Sequence, residues 1–200
     1  MDRVYFDTET SGFTPGQIAQ LSYIKEYDSG EIVAKNFFFY VNYIEEGAEA
    51  VTGRGKSFYT AHSNGLRFGD HIAEIEADFA NSILIAHNIE FDEKFMSAEF
   101  WRLGKIFSPA SKLCTMNYFK PICNIKTKAN KVKNPKLVEL IDYFGIDNEK
   151  ISLYCEDLFN EPCGEFHDAM YDTTAMFIAC KLHAEQRENG DAWKNTFCVK

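Results

Sequence analysis

No stretch of this 200-residue chain strings together the roughly 18 apolar residues that a membrane-spanning helix needs. Its first residues, MDRVYFDTET, lack both an apolar core and a small-residue cleavage site. They do not read as an export signal, and the cytoplasm is the expected compartment. Cys-x-x-Cys pairs are missing too. The six cysteines, at 114, 123, 155, 163, 180 and 198, lack the close pairing of a structural zinc site. Without an export signal they read as reduced, mostly buried thiols. Repeats, low-complexity tracts and linkers are absent, and the length suits one domain over residues 1–200. Positive charge is scarce: 21 Lys and Arg stand against 30 Asp and Glu, for a net charge of −9. Taken alone, that argues weakly against a polyanionic partner, because phosphate binding normally relies on Lys and Arg. Acids are themselves missing from Lys112 to Lys136, where seven lysines (112, 120, 126, 128, 131, 133 and 136) give +7 and leave −16 on the rest of the chain. An acidic body with one basic strip is compatible with nucleic acid.

Hydrophobic residues make up 46% of the chain, enough for a sizeable core and against disorder. RVYFDTET is β-rich and predicts a first strand starting by Arg3. Two further strands flank the turn DSGE, so the sheet begins antiparallel. Residues 44–68 are glycine-rich and polar and give no clear element. Ile72, Ile75 and Phe79 recur at helical spacing. ILIA, from Ile83, reads as a short buried strand closed by His87 and Asn88. A helix follows with Phe91, Phe95, Ala98 and Leu103 on one side and Gly104 near its end. NPKLVELIDYFGI is another helix, with Pro135 near its start and Gly145 past its end. A last helix runs through HDAMYDTTAMFIACKLHAEQ. Hairpins first, then alternating helix and strand, imply a mixed sheet covered by helices.

The acids stand out within this frame. Along a strand, side chains alternate faces, so Asp7 and Glu9 share one face about 6.6 Å apart while Val4 and Phe6 pack on the other. Two carboxylates so placed repel, and one divalent cation between them would offset the repulsion. Oxygen-only ligands favour hard ions such as Mg²⁺ or Mn²⁺. An ordinary solvated strand end is the competing reading. Asp92 lies one turn into a helix, where a carboxylate also complements the helix dipole. His87 and Asn88 fit local hydrogen bonding at a strand end as well as any ligand role. Asp168 and Asp172 are four apart on one helix face. Asp168 also suits a helix cap, and spacing alone does not choose between the two.

Taken together, these motifs resemble the DEDD superfamily of 3′–5′ exonucleases, in the histidine-containing branch that includes the proofreading subunit of the bacterial replicative polymerase, ribonuclease T and oligoribonuclease. Asp7, Glu9, Thr10 and Gly12 match its first motif. Asn88, Phe91 and Asp92 match the second, and His167 with Asp172 the third. The motifs occur in family order from residue 7 to residue 172, and the helix in PKLVELIDYFGI resembles the segment before the third.

The resemblance implies an α/β, ribonuclease H-like fold: a mixed five-stranded sheet, its first three strands antiparallel, with helices on both faces. It implies that Asp7, Glu9, Asp92 and Asp172 gather two divalent ions, Mg²⁺ or Mn²⁺, which leaves Asp168 as a cap. His167 would be the general base; histidine is the residue type that exchanges a proton near neutral pH. His62, His71, His87 and His183 lack the motif context and read as structural or surface residues. Thr10, Asn88 and Phe13 would hold the terminal nucleotide, with Phe13 either stacking on a base or serving as a core aromatic. The partner expected is single-stranded DNA or RNA, released from the 3′ end as nucleoside monophosphates. A polymerase or other replication or repair partner is left open. A catalytically inactive nucleic-acid-binding module and a ribonuclease H-like endonuclease are the alternatives. Two segments depart from the family pattern: residues 45–68, where part of the substrate cleft is usually built, and the lysine-bearing KPICNIKTKANKVKN. Within the latter, Lys126, Lys128, Lys131 and Lys133 are candidates to guide the strand, or simply a solvated loop.

Overall fold

The computed structural model describes residues 1–186. Cys198, which the sequence suggests is a reduced thiol, lies outside them. Five strands form one sheet: β1 (Arg3–Thr10), β2 (Ile18–Glu26), β3 (Ile32–Phe38), β4 (Ile83–Ala86) and β5 (Ser111–Cys114). Their spatial order is β3-β2-β1-β4-β5. The first three are antiparallel neighbours, while β4 runs parallel to β1 and β5 parallel to β4. The expected mixed five-stranded sheet is therefore present. The β2–β3 turn falls at DSGE, where the Tyr27 N–H donates to Glu31 O at 2.9 Å and Gly30 takes φ +93°, a conformation that glycine adopts freely.

The alternation along β1 divides the core in two. Tyr5 joins Ile24, Ile83 and Ile85 beneath α8 (Ala169–Gln186), with α6 (Leu137–Phe144) and α7 (Asn148–Phe159) beside it. The Tyr5 ring meets Phe177 edge-on at 5.0 Å. Val4 and Phe6 face the other way, into a core with Leu21, Tyr23, Leu84 and Ala86 under α3 (Ile72–Phe79) and α4 (Ile89–Arg102). Phe6 and Tyr23 both contact the Phe79 ring edge-on, at 5.3 and 5.1 Å. Both sheet faces are thus covered, and their burial supplies the main driving force for the fold.

Several elements differ from the sequence reading. Residues 44–68 contain two short helices, α1 (Glu46–Thr52) and α2 (Lys56–His62), before a 3₁₀ turn at Phe68–His71. Each short helix buries one residue, Ala48 or Tyr59, so neither carries a periodic apolar stripe. β5 and α5 (Thr115–Cys123) escape notice for related reasons: one is four residues long and the other contains Pro121. α7 buries only Ile151 and Cys155. The buried side of α4 is also not the purely apolar one expected. It comprises Ile89, Asp92, Phe95, Met96, Glu99 and Phe100, while Leu103 is exposed. Two acids thus occupy the inward stripe. Glu99 is satisfied by the Ile18 N–H at 2.9 Å and by Arg102 at 2.6 Å. His167 and Asp168 precede α8 rather than lying inside it. No helix among the described residues is long and apolar enough to cross a membrane.

Candidate active site

The face of the sheet under α8 changes character along β1. Tyr5 pairs with Ile24 in an apolar stretch; Asp7 then pairs with Ser22 and Glu9 with Gln20. Beyond Tyr5 the ladder to β4 also stops, since β4 pairs only with Arg3, Val4 and Tyr5. The chain leaves β4 through His87 and Asn88, the latter at φ +72°, and enters α4. One turn later, Asp92 takes over the hydrogen bonding that β4 has relinquished. Its Oδ1 accepts from the Thr8 N–H at 3.1 Å and from Thr8 Oγ1 at 2.7 Å. Asp92 is therefore fixed against the end of β1.

From the opposite face, α8 delivers Asp172 in its first turn. Carboxylate oxygens of Asp7, Glu9 and Asp172 all lie within 4.8 Å of one another. A cleft of about 330 Å³ opens over this cluster. Asp92, Asn88, Thr10, Phe13 and His167 line it too, together with Ala48, Val51 and Thr52 from α1. The acids, the histidine and the three residues proposed to hold a terminal nucleotide thus come together around one opening. Lys126, Lys128, Lys131 and Lys133 do not line it.

Each carboxyl in the cluster has an elevated pKa. Burial raises Asp7 well above the ordinary carboxylate range, and the charges of Asp92, Asp172 and Glu9 raise it further. Burial likewise raises Glu9, helped by Asp172 and Asp168 and opposed by the Arg54 guanidinium. Asp92 is pushed up to about 7 by burial, against the lowering effect of the Thr8 hydrogen bonds. Asp172 also reaches about 7 through burial, although a backbone hydrogen bond from His167 pulls the other way. Four acids that resist ionising together call for positive charge. Among the described residues, the buried Asp172 Oδ1 has no hydrogen-bond partner. An all-carboxylate donor set with an orphaned oxygen fits a hard divalent cation.

Asp168 has a different environment. Its carboxylate accepts from Met170 N at 3.0 Å, capping α8, and from Gly164 N at 3.1 Å. It also accepts from Gln20 Nε2 at 2.8 Å and pairs with Arg54 at 2.8 Å. With those donors engaged, Asp168 serves as the anchor of the α8 N-terminus. His167, immediately before it, is exposed at φ +66°. Histidine is among the residue types enriched in this left-handed region.

Other placements resolve alternatives that the sequence left open. Phe13 is 58% exposed at the cleft rim, so it is not a core aromatic. Its ring lies so close to Gly47 of α1 that a Cβ there would sit 2.8 Å from it. Thr10 Oγ1 donates to Gly12 O at 2.8 Å and shapes the loop after β1. His87 faces the cleft, but both its ring nitrogens are engaged. Nε2 donates to Pro135 O at 3.1 Å, so Nδ1 is left to accept from Thr115 Oγ1 at 3.0 Å. Burial lowers its pKa to about 4. It is a neutral structural residue. Sequence reasoning missed Arg54, which holds Asp168, stacks on Phe58 at 4.8 Å and opposes the rise of the Glu9 pKa. The signal available was an arginine between two glycines, Gly53 and Gly55, in an otherwise unassigned segment.

The sheet order and the acid cluster at the end of its central strand define a ribonuclease H-like fold with a candidate nuclease centre. The chain belongs to the exonuclease family, whose sequence model matches residues 4–179. No curated protein matches it by sequence. Among solved structures it is similar to Escherichia coli exonuclease I in complex with a dA16 oligonucleotide, at 17% identity and TM-score 0.73, covering 98% of this chain and 43% of that one. It is also similar to a moderately thermophilic exonuclease I from Methylocaldum szegediense, at 16% identity and TM-score 0.71, covering 98% and 42%. At such identities the likeness is one of fold, and this chain spans less than half the length of those proteins.

Two predictions concern this cluster without reference to catalysis. Asp92 and Asp172 keep their protons in the folded state up to about pH 7, whereas unfolded aspartates lose theirs near pH 4. Their contribution to stability is full below about pH 4 and is lost as pH rises to about 7. In EDTA, Tm should therefore fall by several degrees between pH 5 and pH 7.5. Millimolar Mn²⁺ should restore it at the higher pH, and Asp172→Asn should flatten the metal-free profile. A metal-free Tm that stays level across this range would refute the charge crowding. Second, Asp168→Ala removes a helix cap and strands Arg54, at a cost of about 3 kcal/mol after some relief of repulsion within the cluster. Asp168→Asn keeps a capping oxygen and should lose roughly half as much. Urea titration of both variants checks the order.

Proposed function

We propose that this protein is a divalent-metal-dependent 3′–5′ exonuclease acting on single-stranded nucleic acid, with residues 1–200 as one exonuclease domain. The observation that carries the reading is the convergence of Asp7, Glu9, Asp92 and Asp172 beneath one cleft that His167 also lines. Asp7, Glu9, Asp92 and Asp172 would hold two ions, Mg²⁺ or Mn²⁺. Bound there, such ions neutralise the phosphate and make a water molecule more acidic.

The chain's own residues account for the rest. His167, exposed at the cleft edge on a turn outside the helix, can take the proton of the attacking water. Water oxygen bonds to phosphorus, the bond from phosphorus to the 3′ oxygen breaks, and a nucleoside 5′-monophosphate leaves a strand with a new 3′ hydroxyl. Phe13 offers an exposed ring on which the terminal base can stack, a contact worth about 1–3 kcal/mol. Thr10 and Asn88 line the same cleft as polar groups for the terminal sugar and phosphate. α1 supplies the facing wall through Ala48, Val51 and Thr52. The oligonucleotide bound to Escherichia coli exonuclease I supports a strand as the substrate of this shared fold. The five described cysteines are free, which suits work in a reducing cytoplasm.

End-labelled single-stranded DNA, duplex DNA and RNA, each incubated with the protein and Mg²⁺, test the assignment. Expected is a ladder of 5′-labelled strands that shortens from the 3′ end with release of mononucleotides. Internal fragments would indicate an endonuclease, and intact strands a binding module. Asp7→Ala should abolish cleavage in a folded protein, and substantial residual activity would sink the metal-dependent reading. His167→Ala should lower kcat by roughly 10²–10⁴ while Mn²⁺ binding measured by calorimetry stays nearly unchanged. Single-turnover cleavage equal to wild type would assign the base elsewhere.

A further inference from the structure

Outside the cleft, the basic strip folds into a small hairpin. Lys126 and Val132 form an antiparallel bridge. The Thr127 N–H donates to Lys131 O, and Lys133 N to Ile125 O, each at 2.9 Å. Asn130, at φ +59°, turns the tip. The lysines fall into two groups. Lys126, Lys128 and Lys131 are exposed and make no ion pair among the described residues. Lys133 is half-buried, and its ammonium meets both oxygens of Glu139, at 2.5 and 2.6 Å. Glu139 in turn caps the Lys136 N–H at 2.8 Å, at the start of α6. Lys133 is therefore spent on holding the hairpin to its helix.

The stem is tied to the cleft. Pro135 O accepts from His87 Nε2, and His87 lines the opening over the acid cluster. The five residues from Pro135 to Asn130 span at most about 17 Å, so the tip lies within about 20 Å of His87 at the cleft wall. Three lysines without an ion pair among the described residues stand there on a chain whose net charge is otherwise negative. Solvent can satisfy them, yet a polyanion leaving the cleft gains from exposed cations that no acid already engages. We propose that this hairpin is a docking surface for the nucleic-acid strand beyond the scissile end, with Lys126, Lys128 and Lys131 contacting phosphates and Lys133 acting as a brace. The proposal rests on the exonuclease reading for the strand's position, but not for its chemistry.

The test is a salt titration of binding by anisotropy, using long labelled single-stranded DNA and RNA and the cleavage-deficient Asp7→Asn protein. Changing Lys126, Lys128 and Lys131 together to Ser should reduce the slope of log K against log salt by about 2, at about 0.7 for each phosphate no longer neutralised. A Lys128→Gln, Lys131→Gln double variant, which spares the bridge at Lys126, should reduce it by about 1.4. Lys133→Ser should lower Tm and leave the slope unchanged. In the Asp7-containing enzyme, the triple variant should raise KM on long strands and leave dinucleotide hydrolysis unaffected. An unchanged slope in the triple and double variants would overturn the proposal, as would a wild-type hairpin that binds no strand. A reduced slope in a protein that never cleaves would keep the hairpin and refute the exonuclease reading. Normal cleavage with an unchanged slope would do the reverse.

Discussion

Mutual repulsion among carboxylates at the end of β1 governs the architecture around it. Asp7, Glu9, Asp92 and Asp172 arrive from the central strand and from a helix on each side of the sheet, and every one is held where ionisation is disfavoured. Placing them costs folding free energy that two apolar cores must outweigh. The neighbouring polar groups limit that cost without cancelling it. Thr8 fixes Asp92 through two hydrogen bonds, and Arg54 balances Asp168. No arginine or lysine among the described residues is inserted between the four acids themselves. The protein confines the unfavourable charge to one cleft.

The two sides of the sheet divide the labour. α8 is buried along most of its length and can be positioned only as a rigid rod, so Asp172 is set by the cap at Asp168 and by packing against Tyr5 and Ile24. α4 is anchored near its start by Asp92 and towards its end by Glu99. α1, by contrast, buries a single alanine, and such thinly packed elements open locally at low free-energy cost. The acid cluster therefore sits on the rigid members, and one wall of the cleft sits on a thinly packed one.

Much of this was legible in the sequence because strand periodicity is unambiguous in β1. Tyr5 faces one core, Val4 and Phe6 the other, and Asp7 and Glu9 continue the same alternation. The hairpin at DSGE and the helix ended by Gly145 were equally readable from turn and cap chemistry. What failed did so where burial and polarity part company. Asp92 and Glu99 occupy the inward stripe of α4, so an apolar pattern assigns its buried face wrongly. The helices at 46–62 bury too little to leave a pattern at all. Asp168 and Asp172 could not be separated by spacing, because the distinction is whether the helix begins before or after residue 168, and the four hydrogen-bond partners of Asp168 decide that. Arg54 is legible only once Asp168 is known to need it.

The brevity of β4 has a consequence for how such a chain can vary. Its four residues fill two cores by simple alternation, and many apolar residues would serve. Its length is another matter. Because the ladder to β1 ends at Tyr5, the Thr8 N–H is left for Asp92 to claim. One added residue would invert the facing of the residues after it and carry Asn88 and Asp92 out of reach. β4 works as a ruler. Its composition is free to drift, but insertions and deletions within it should be purged, whereas the chain at Glu161 and Pro162, exposed and outside the bonds that pin Asp168, can change length as long as Gly164 keeps its place.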